Sequence, residues 1–237
     1  MCRLSVNINK LATIRNARGG NNPDLVQWAK NIQSYGAHGI TIHPRPDERH
    51  VRRADVYALK EVVHTEFNIE GYPSDDFMNM VIEVKPDQVT LVPDPPEVLT
   101  SNAGWDAKKK SELLKDKINR LRDAGIRSSI FMETDLRQIE ALEAILPDRI
   151  ELYTESYAKT QSINGRGNVS EFAKAASMAR DMGMGINAGH DLDLHNLQVF
   201  VKHIPFLNEV SIGHALICDA LVYGMENTVQ MYLNKLR

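Results

Sequence analysis

Short apolar runs in this chain end repeatedly in groups that can move protons or hold anions. The first run closes on Asn7 and Asn9, the second on His43 and Arg45 with His50 soon after, the third on Asn68 and Glu70. Glu151, then Asn187 with His190 and Asp191, then Gly213 with His214 stand at later run ends. Imidazoles and carboxylates tuned towards neutrality are the usual general acids and bases. A lone arginine is more often half of a surface ion pair than a ligand, and a lone histidine is more often structural. The catalytic reading therefore rests on convergence, because the C-terminal ends of parallel barrel strands meet on one rim. His38, His64, His195 and His203 fall elsewhere in the repeat and are read as structural.

The same ends suit anions. Gly189-His190-Asp191 and Gly213-His214-Ala215 are each read as leading into a helix, whose free N–H groups and N-terminal dipole bind phosphate. A second anion site is expected from Arg45, His50 and Thr100, or from Arg18 in the basic stretch Lys10, Arg15, Arg18 that closes on Gly19-Gly20. Two such sites on one rim imply two phosphorylated substrates or one bisphosphate.

Other chemistries fit less well. His43, His190, His214 and Glu70 are metal-ligand types, but Asn7-x-Asn9 stands where a metal-dependent hydrolase barrel carries His-x-His, so no metal is expected. The chain has no GxSxG elbow, no CxxC pair and no GxGxxG after its first strand, and no lysine stands clearly at an inner strand end. Cys218 reads as a buried helix residue.

Positioning these groups requires a repeated strand–helix unit. Strands are expected at 4–8, 39–43, 65–70, 88–92, 126–132, 149–152, 185–188 and 209–212. Helices are expected near 23–35, 54–63, 75–85, 108–124, 136–146, 169–182, 194–203 and 215–234, with Pro23 in the first turn of the first and residues 10–20 as a loop. Strict alternation implies parallel strands. Eight units in one domain spanning 1–237 favour a (β/α)8 TIM barrel over an open doubly wound sheet. The strand faces opposite the apolar set carry Ser5, Thr41, Glu66, Asn68, Thr90, Ser129, Arg149, Glu151, Asn187, Glu209 and Ser211. This predicts a polar barrel interior with internal ion pairs, Arg149 pairing with Glu66 or Glu209. Residues 93–105 and 154–168 exceed ordinary βα loops and are candidate lids.

Composition narrows the class. A net charge of -3 argues against a nucleic-acid partner, and no apolar run approaches membrane-spanning length. Two cysteines cannot build a disulfide framework, which suits a cytoplasmic protein. The first strand begins almost at Met1, so neither a leading domain nor a signal peptide is expected.

The motifs together resemble the pyridoxine 5′-phosphate synthase family. The resemblance rests on Val6-Asn-Ile through Gly19, Gly39-Ile-Thr-Ile-His43 with Arg45 and Arg49-His50, Asn68-Ile-Glu70, Leu91-Val-Pro93, Ile150 through Thr154, Asn187 through His190, and Ile212 through Ala215. It implies a (β/α)8 enzyme that condenses 1-deoxy-D-xylulose 5-phosphate with 3-amino-2-oxopropyl phosphate, giving pyridoxine 5′-phosphate, phosphate and water without a metal or cofactor. It further implies His43, Glu70 and His190 as acid–base groups and Glu151 as a stabiliser of transition-state charge. Asn7, Arg18, Asp191, Gly213 and His214 would hold the amino-ketone phosphate, and Asn9, Lys10, Arg45, His50 and Thr100 the deoxyxylulose phosphate. A homo-oligomer, up to an octamer, is implied as well. Asn9-Lys10 departs from the family's usual Asp-His, and Asp191 stands where glycine is common. The alternatives are another phosphosugar-barrel epimerase or aldolase, or a non-catalytic barrel that binds a phosphorylated metabolite.

Overall fold

The computed structural model describes residues 1–93, 103–164 and 168–237. Strands β1 (Arg3–Asn7), β2 (Gly39–Ile42), β3 (Glu66–Gly71), β4 (Gln88–Leu91), β5 (Arg127–Met132), β6 (Arg149–Tyr153), β7 (Gly185–Gly189) and β8 (Glu209–Ile212) follow in order. Each pairs in parallel with the next, and β8 pairs with β1, so the sheet closes. The open-sheet alternative is thereby excluded. Around it run α1 (Asn9–Arg18), α2 (Leu25–Ser34), α3 (Arg53–Lys60), α4 (Asp75–Val84), α5 (Ser111–Asp123), α6 (Leu136–Glu140), α7 (Glu155–Asn164), α8 (Val169–Asp181), α9 (Leu197–His203), α10 (His214–Tyr223) and α11 (Met225–Lys235).

Alternation along each strand decides what faces where. Leu4, Val6, Ile40, Ile42, Ile69, Ile130, Ile150 and Val210 are fully buried in the layer between sheet and helices. Their strand neighbours point inward and bond to one another. Ser5 and Thr41 hydroxyls lie 2.7 Å apart, Asn68 Nδ2 donates to Thr41 Oγ1 at 3.3 Å, and Thr90 Oγ1 donates to Asn68 Oδ1 at 3.1 Å. This chain of side-chain bonds offsets the cost of burying polar groups. The expected polar interior is present.

At the N-terminal end of the lumen, Glu66 carries the charge network. Arg3 Nη2 lies 2.5 Å from Glu66 Oε2, Arg127 also pairs with Glu66, and Arg149 Nη1 stands 3.8 Å from it. Arg149 therefore meets Glu66 as expected, while its shorter contact is a hydrogen bond to Asn187 Oδ1 at 3.0 Å. Arg3 and Arg127 were not foreseen as partners, although both share the parity of the inward positions on their strands.

Several local expectations are corrected. Residues 9–18 form α1 rather than a loop: Ile8 takes the N-cap position, and Leu11, Ala12 and Arg15 are the buried face. Pro23 lies before α2, which Asp24 caps by accepting from Gln27 N–H at 3.1 Å. The long last helix is two, divided at Gly224 with φ 78°. The expected helix over 136–146 is α6 followed by a tight 3-10 turn at Ala141–Ala144. Residues 155–164 of the second expected lid are α7, and residues 165–167 lie outside the described residues. Cys218 is exposed, not buried. No helix among the described residues is long and apolar enough to cross a membrane.

Candidate active site

A cleft of about 590 Å³ opens at the C-terminal ends of the strands, inside the range of roughly 300–1,000 Å³ usual for small-molecule sites. Asn7, Asn9, Lys10, His43, Arg45, His50, Glu70, Glu151, His190, Asp191, Gly213 and His214 all line it. Eleven residues expected from the run ends, together with Lys10 of the basic stretch, are thus brought together. Arg18 is not among the lining residues: α1 carries it along the exposed outside, roughly 14 Å of helix rise from Asn9. Thr100 and most of the first expected lid, 94–102, lie outside the described residues.

Two asparagines tie the proton-moving groups into one frame. Asn9 Oδ1 accepts from the His43 backbone N–H at 2.9 Å, and the Asn9 N–H donates to Asn7 Oδ1 at 3.0 Å. Asn7 Nδ2 in turn donates to Glu70 Oε2 at 3.4 Å. His43 Nδ1 stands 4.0 Å from the same carboxylate oxygen, a gap that a substrate atom or a water can bridge. Truncating Asn9 to alanine strands the His43 N–H, so N9A is expected to lose about 1–3 kcal/mol, read by denaturant unfolding, while N9D keeps the acceptor and most of the stability. Equal stability of N9A and wild type would refute the anchoring role.

The β2–α3 connection is held from α1. Arg15, 1% exposed, makes a bidentate pair with Asp55 at 2.6 and 2.8 Å and donates to the His50 carbonyl at 3.2 Å. Asn16 Nδ2 donates to the same carbonyl at 2.8 Å. Arg15 is a structural cation, and its task is to set the loop that presents His50.

Burial governs the titration of the site. His43 is pushed down to about 3, by burial first and then by His50, Arg45 and Arg49. His50 falls to about 4 through burial and the charges of Arg45, Lys10 and Arg49. Both rings are therefore neutral at neutral pH, and an arriving phosphate would favour protonating His50. Burial, then the charges of Glu151 and Glu209, hold Glu70 well above the ordinary carboxylate range. Burial also lifts Glu151 to about 7, against the Thr90 hydroxyl and the charge of His190. The lower half of the cleft thus carries two carboxyl groups whose proton affinity burial raises, Glu151 to about 7.

The rim divides into two electropositive ends. Lys10, Arg45, Arg49 and His50 gather on one side. On the other, α10 begins at Gly213 without a side-chain cap, which leaves its first N–H groups for an anion. Gly213 packs closely there, since a Cβ would lie 3.1 Å from Asn7 Cβ. The companion expectation at β7 is corrected: His190 and Asp191 lead into a turn, and α9 starts only at Leu197. Gly189 has a different use, because Glu151 Oε1 occupies the space a side chain would take.

Residues not foreseen complete the walls. Val92, Phe131 and Tyr153 form a small apolar cluster above the polar lumen, and the Tyr153 ring meets His190 edge-on at 4.8 Å. Phe131 continues the inward parity of Arg127 and Ser129, which is the signal that marks it. Arg49, Thr13 and Ser211 also reach the cleft. Among the described residues, no three His, Cys, Asp or Glu side chains gather as a metal ion would require.

Comparison with known proteins places this geometry. The model of a family described as "Pyridoxal phosphate biosynthesis protein PdxJ" matches residues 4–237. Proteins named pyridoxine 5′-phosphate synthase from Cytophaga hutchinsonii and Phocaeicola vulgatus are each 56% identical over 237 residues, covering all of both chains. One of the same name from Porphyromonas gingivalis is 52% identical over 236 residues, covering 100% of this chain and 99% of that one. Among solved structures, a variant tryptophan synthase alpha-subunit from Pyrococcus furiosus superposes with a TM-score of 0.67 at 14% identity, covering 98% of each chain. A phosphoribosylanthranilate isomerase from Thermotoga maritima gives 0.62 at 12% identity, covering 100% of this chain and 98% of that one. At those identities the likeness to solved structures concerns the barrel alone.

Proposed function

The chain belongs to the PdxJ family, and from that premise we propose how its cleft makes pyridoxine 5′-phosphate from 1-deoxy-D-xylulose 5-phosphate and 3-amino-2-oxopropyl phosphate. The observation that carries the assignment of residues is a buried acid–base set lying between two anion-attracting ends of one cleft. Two phosphorylated substrates can enter with their phosphates apart and their carbonyl and amine groups together.

The substrate's own amine forms the imine, so no catalytic lysine is required. Glu70 removes protons during imine and enamine formation, and neutral His43 shuttles a later proton across the 4.0 Å gap. His190 protonates the departing hydroxyl, and Glu151, held next to Gly189, stabilises the charge that develops in the ring-closing steps. Asn7, Gly213, His214 and the backbone N–H of Asp191 bind the amino-ketone phosphate. Asn9, Lys10, Arg45 and His50 bind the deoxyxylulose phosphate. Incubation with both substrates, following pyridoxine phosphate absorbance and phosphate release, tests the reaction. Turnover of one sugar phosphate alone would point to an epimerase or aldolase, and binding without turnover to a metabolite sensor.

The same reading includes self-association and a cytoplasmic location. Leu221 and Val222 are 78% and 74% exposed at the end of α10, with Tyr223 beside them, and Ile14 is exposed on α1, which packs against α10. Such apolar exposure fits a homo-oligomer, up to an octamer, built across this face. Light scattering of the wild type and of L221E tests it: the variant should shift to smaller species. Free Cys2 and Cys218 suit a reducing compartment.

A further inference from the structure

His190 and Asp191 are consecutive non-glycine residues with left-handed backbones, φ 83° and 59°. Single side-chain residues adopt this region uncommonly, and two in a row persist only where their surroundings hold them. Here Thr154 Oγ1 donates to the Gly189 carbonyl at 2.8 Å and also to the His190 carbonyl, while Asn196 Nδ2 donates to the Asp191 carbonyl at 3.0 Å. The held turn brings the two side chains together: His190 Nδ1, buried, lies 3.2 Å from Asp191 Oδ2. The contact has the distance of a charge pair without the directionality of a hydrogen bond.

We propose that the Asp191 carboxylate is a positioning residue for His190. It draws Nδ1 to itself, so that Nε2 is the nitrogen left to face the cleft, and it supports the charged ring from which a proton passes to the departing hydroxyl. The inference rests on the reading of His190 as the general acid. The groups facing the pair are Glu151 from β6, whose carboxyl feels the His190 charge, His214 from α10 and Lys159 from α7, which both act on Asp191, and the edge-on ring of Tyr153. Asp191 itself is held below its ordinary carboxylate value, chiefly by the contact with His190. It is therefore the charged partner at neutral pH.

Asp191→Asn and Asp191→Gly test this without endangering the fold, because asparagine and glycine both accept a left-handed backbone. Each variant is expected to lose about ten- to hundredfold in kcat, part of what a general acid contributes, with KM for both substrates within about twofold. The alkaline limb of kcat should move to lower pH in both. Unchanged kcat, or a loss confined to KM, would overturn the positioning role and leave Asp191 as a backbone ligand only. If His190→Gln kept normal turnover, the failure would lie in the reading of His190 instead.

Discussion

Glu70→Gln is expected to lower turnover by about 10²- to 10⁴-fold, the usual worth of a positioned general base, while leaving the affinity for either phosphorylated substrate nearly unchanged. Glutamine has the size of glutamate and can still accept from Asn7 Nδ2, so the frame of Asn7, Asn9 and His43 survives. What disappears is the ability to take a proton. Steady-state kinetics with both substrates, together with titration of each ligand alone, separate these effects. Near-normal turnover would refute the assignment. In the wild type, activity should fall as pH drops through about 7, where Glu151, beside the raised carboxyl of Glu70, takes up a proton. The two carboxyls titrate as a unit, so the limb belongs to the pair.

The second large effect is on stability. Glu66→Gln removes the carboxylate around which Arg3, Arg127 and Arg149 are grouped. Removing one partner of a fully buried pair costs about 3–5 kcal/mol. Arg3 and Arg127 are 37% and 29% exposed, so water screens part of that loss, and about 2–3 kcal/mol is expected from urea unfolding at neutral pH. Glu209 softens the loss further. Burial and the charge of Glu66 push it up to about 8 from 4.5, and without Glu66 it can ionise towards Arg149 and Arg3. The sign in the wild type follows: a carboxyl whose folded value is raised stabilises most below 4.5, and the contribution is lost as pH rises through about 8. A change below 0.5 kcal/mol in Glu66→Gln would show that the network is decorative.

The strands were legible because period two separates two chemically distinct sets, Leu4 and Val6 from Ser5 and Asn7, or Ile40 and Ile42 from Thr41 and His43. The run-end groups followed from the same reading, since closure of parallel strands brings their C-terminal ends together. α1 was not legible because its buried face includes Arg15 where a helix normally shows an apolar residue. That arginine is satisfied only by Asp55 and the His50 carbonyl, 40 and 35 residues away in sequence. The helix also carries Arg18 about 14 Å along its axis from Asn9, whereas Lys10 and Thr13 of its first turns line the cleft. Cys218 was misplaced for the opposite reason: α10 is apolar on nearly every side, through Leu216, Ile217, Leu221 and Val222, so no stripe distinguishes its inner face. The Asp191–His190 contact depends on two left-handed residues in a row, and nothing in the residue types announces them.

The polar lumen has a thermodynamic consequence. A barrel filled with branched aliphatics exposes all of them to water on unfolding, which raises the heat capacity, whereas exposing Ser5, Thr41, Asn68, Thr90, Glu151 and Asn187 lowers it. Calorimetry should therefore give a heat-capacity increment per residue below the usual range of about 12–15 cal/mol/K. The curve of stability against temperature would be correspondingly flat, and folding would weaken only gently on cooling.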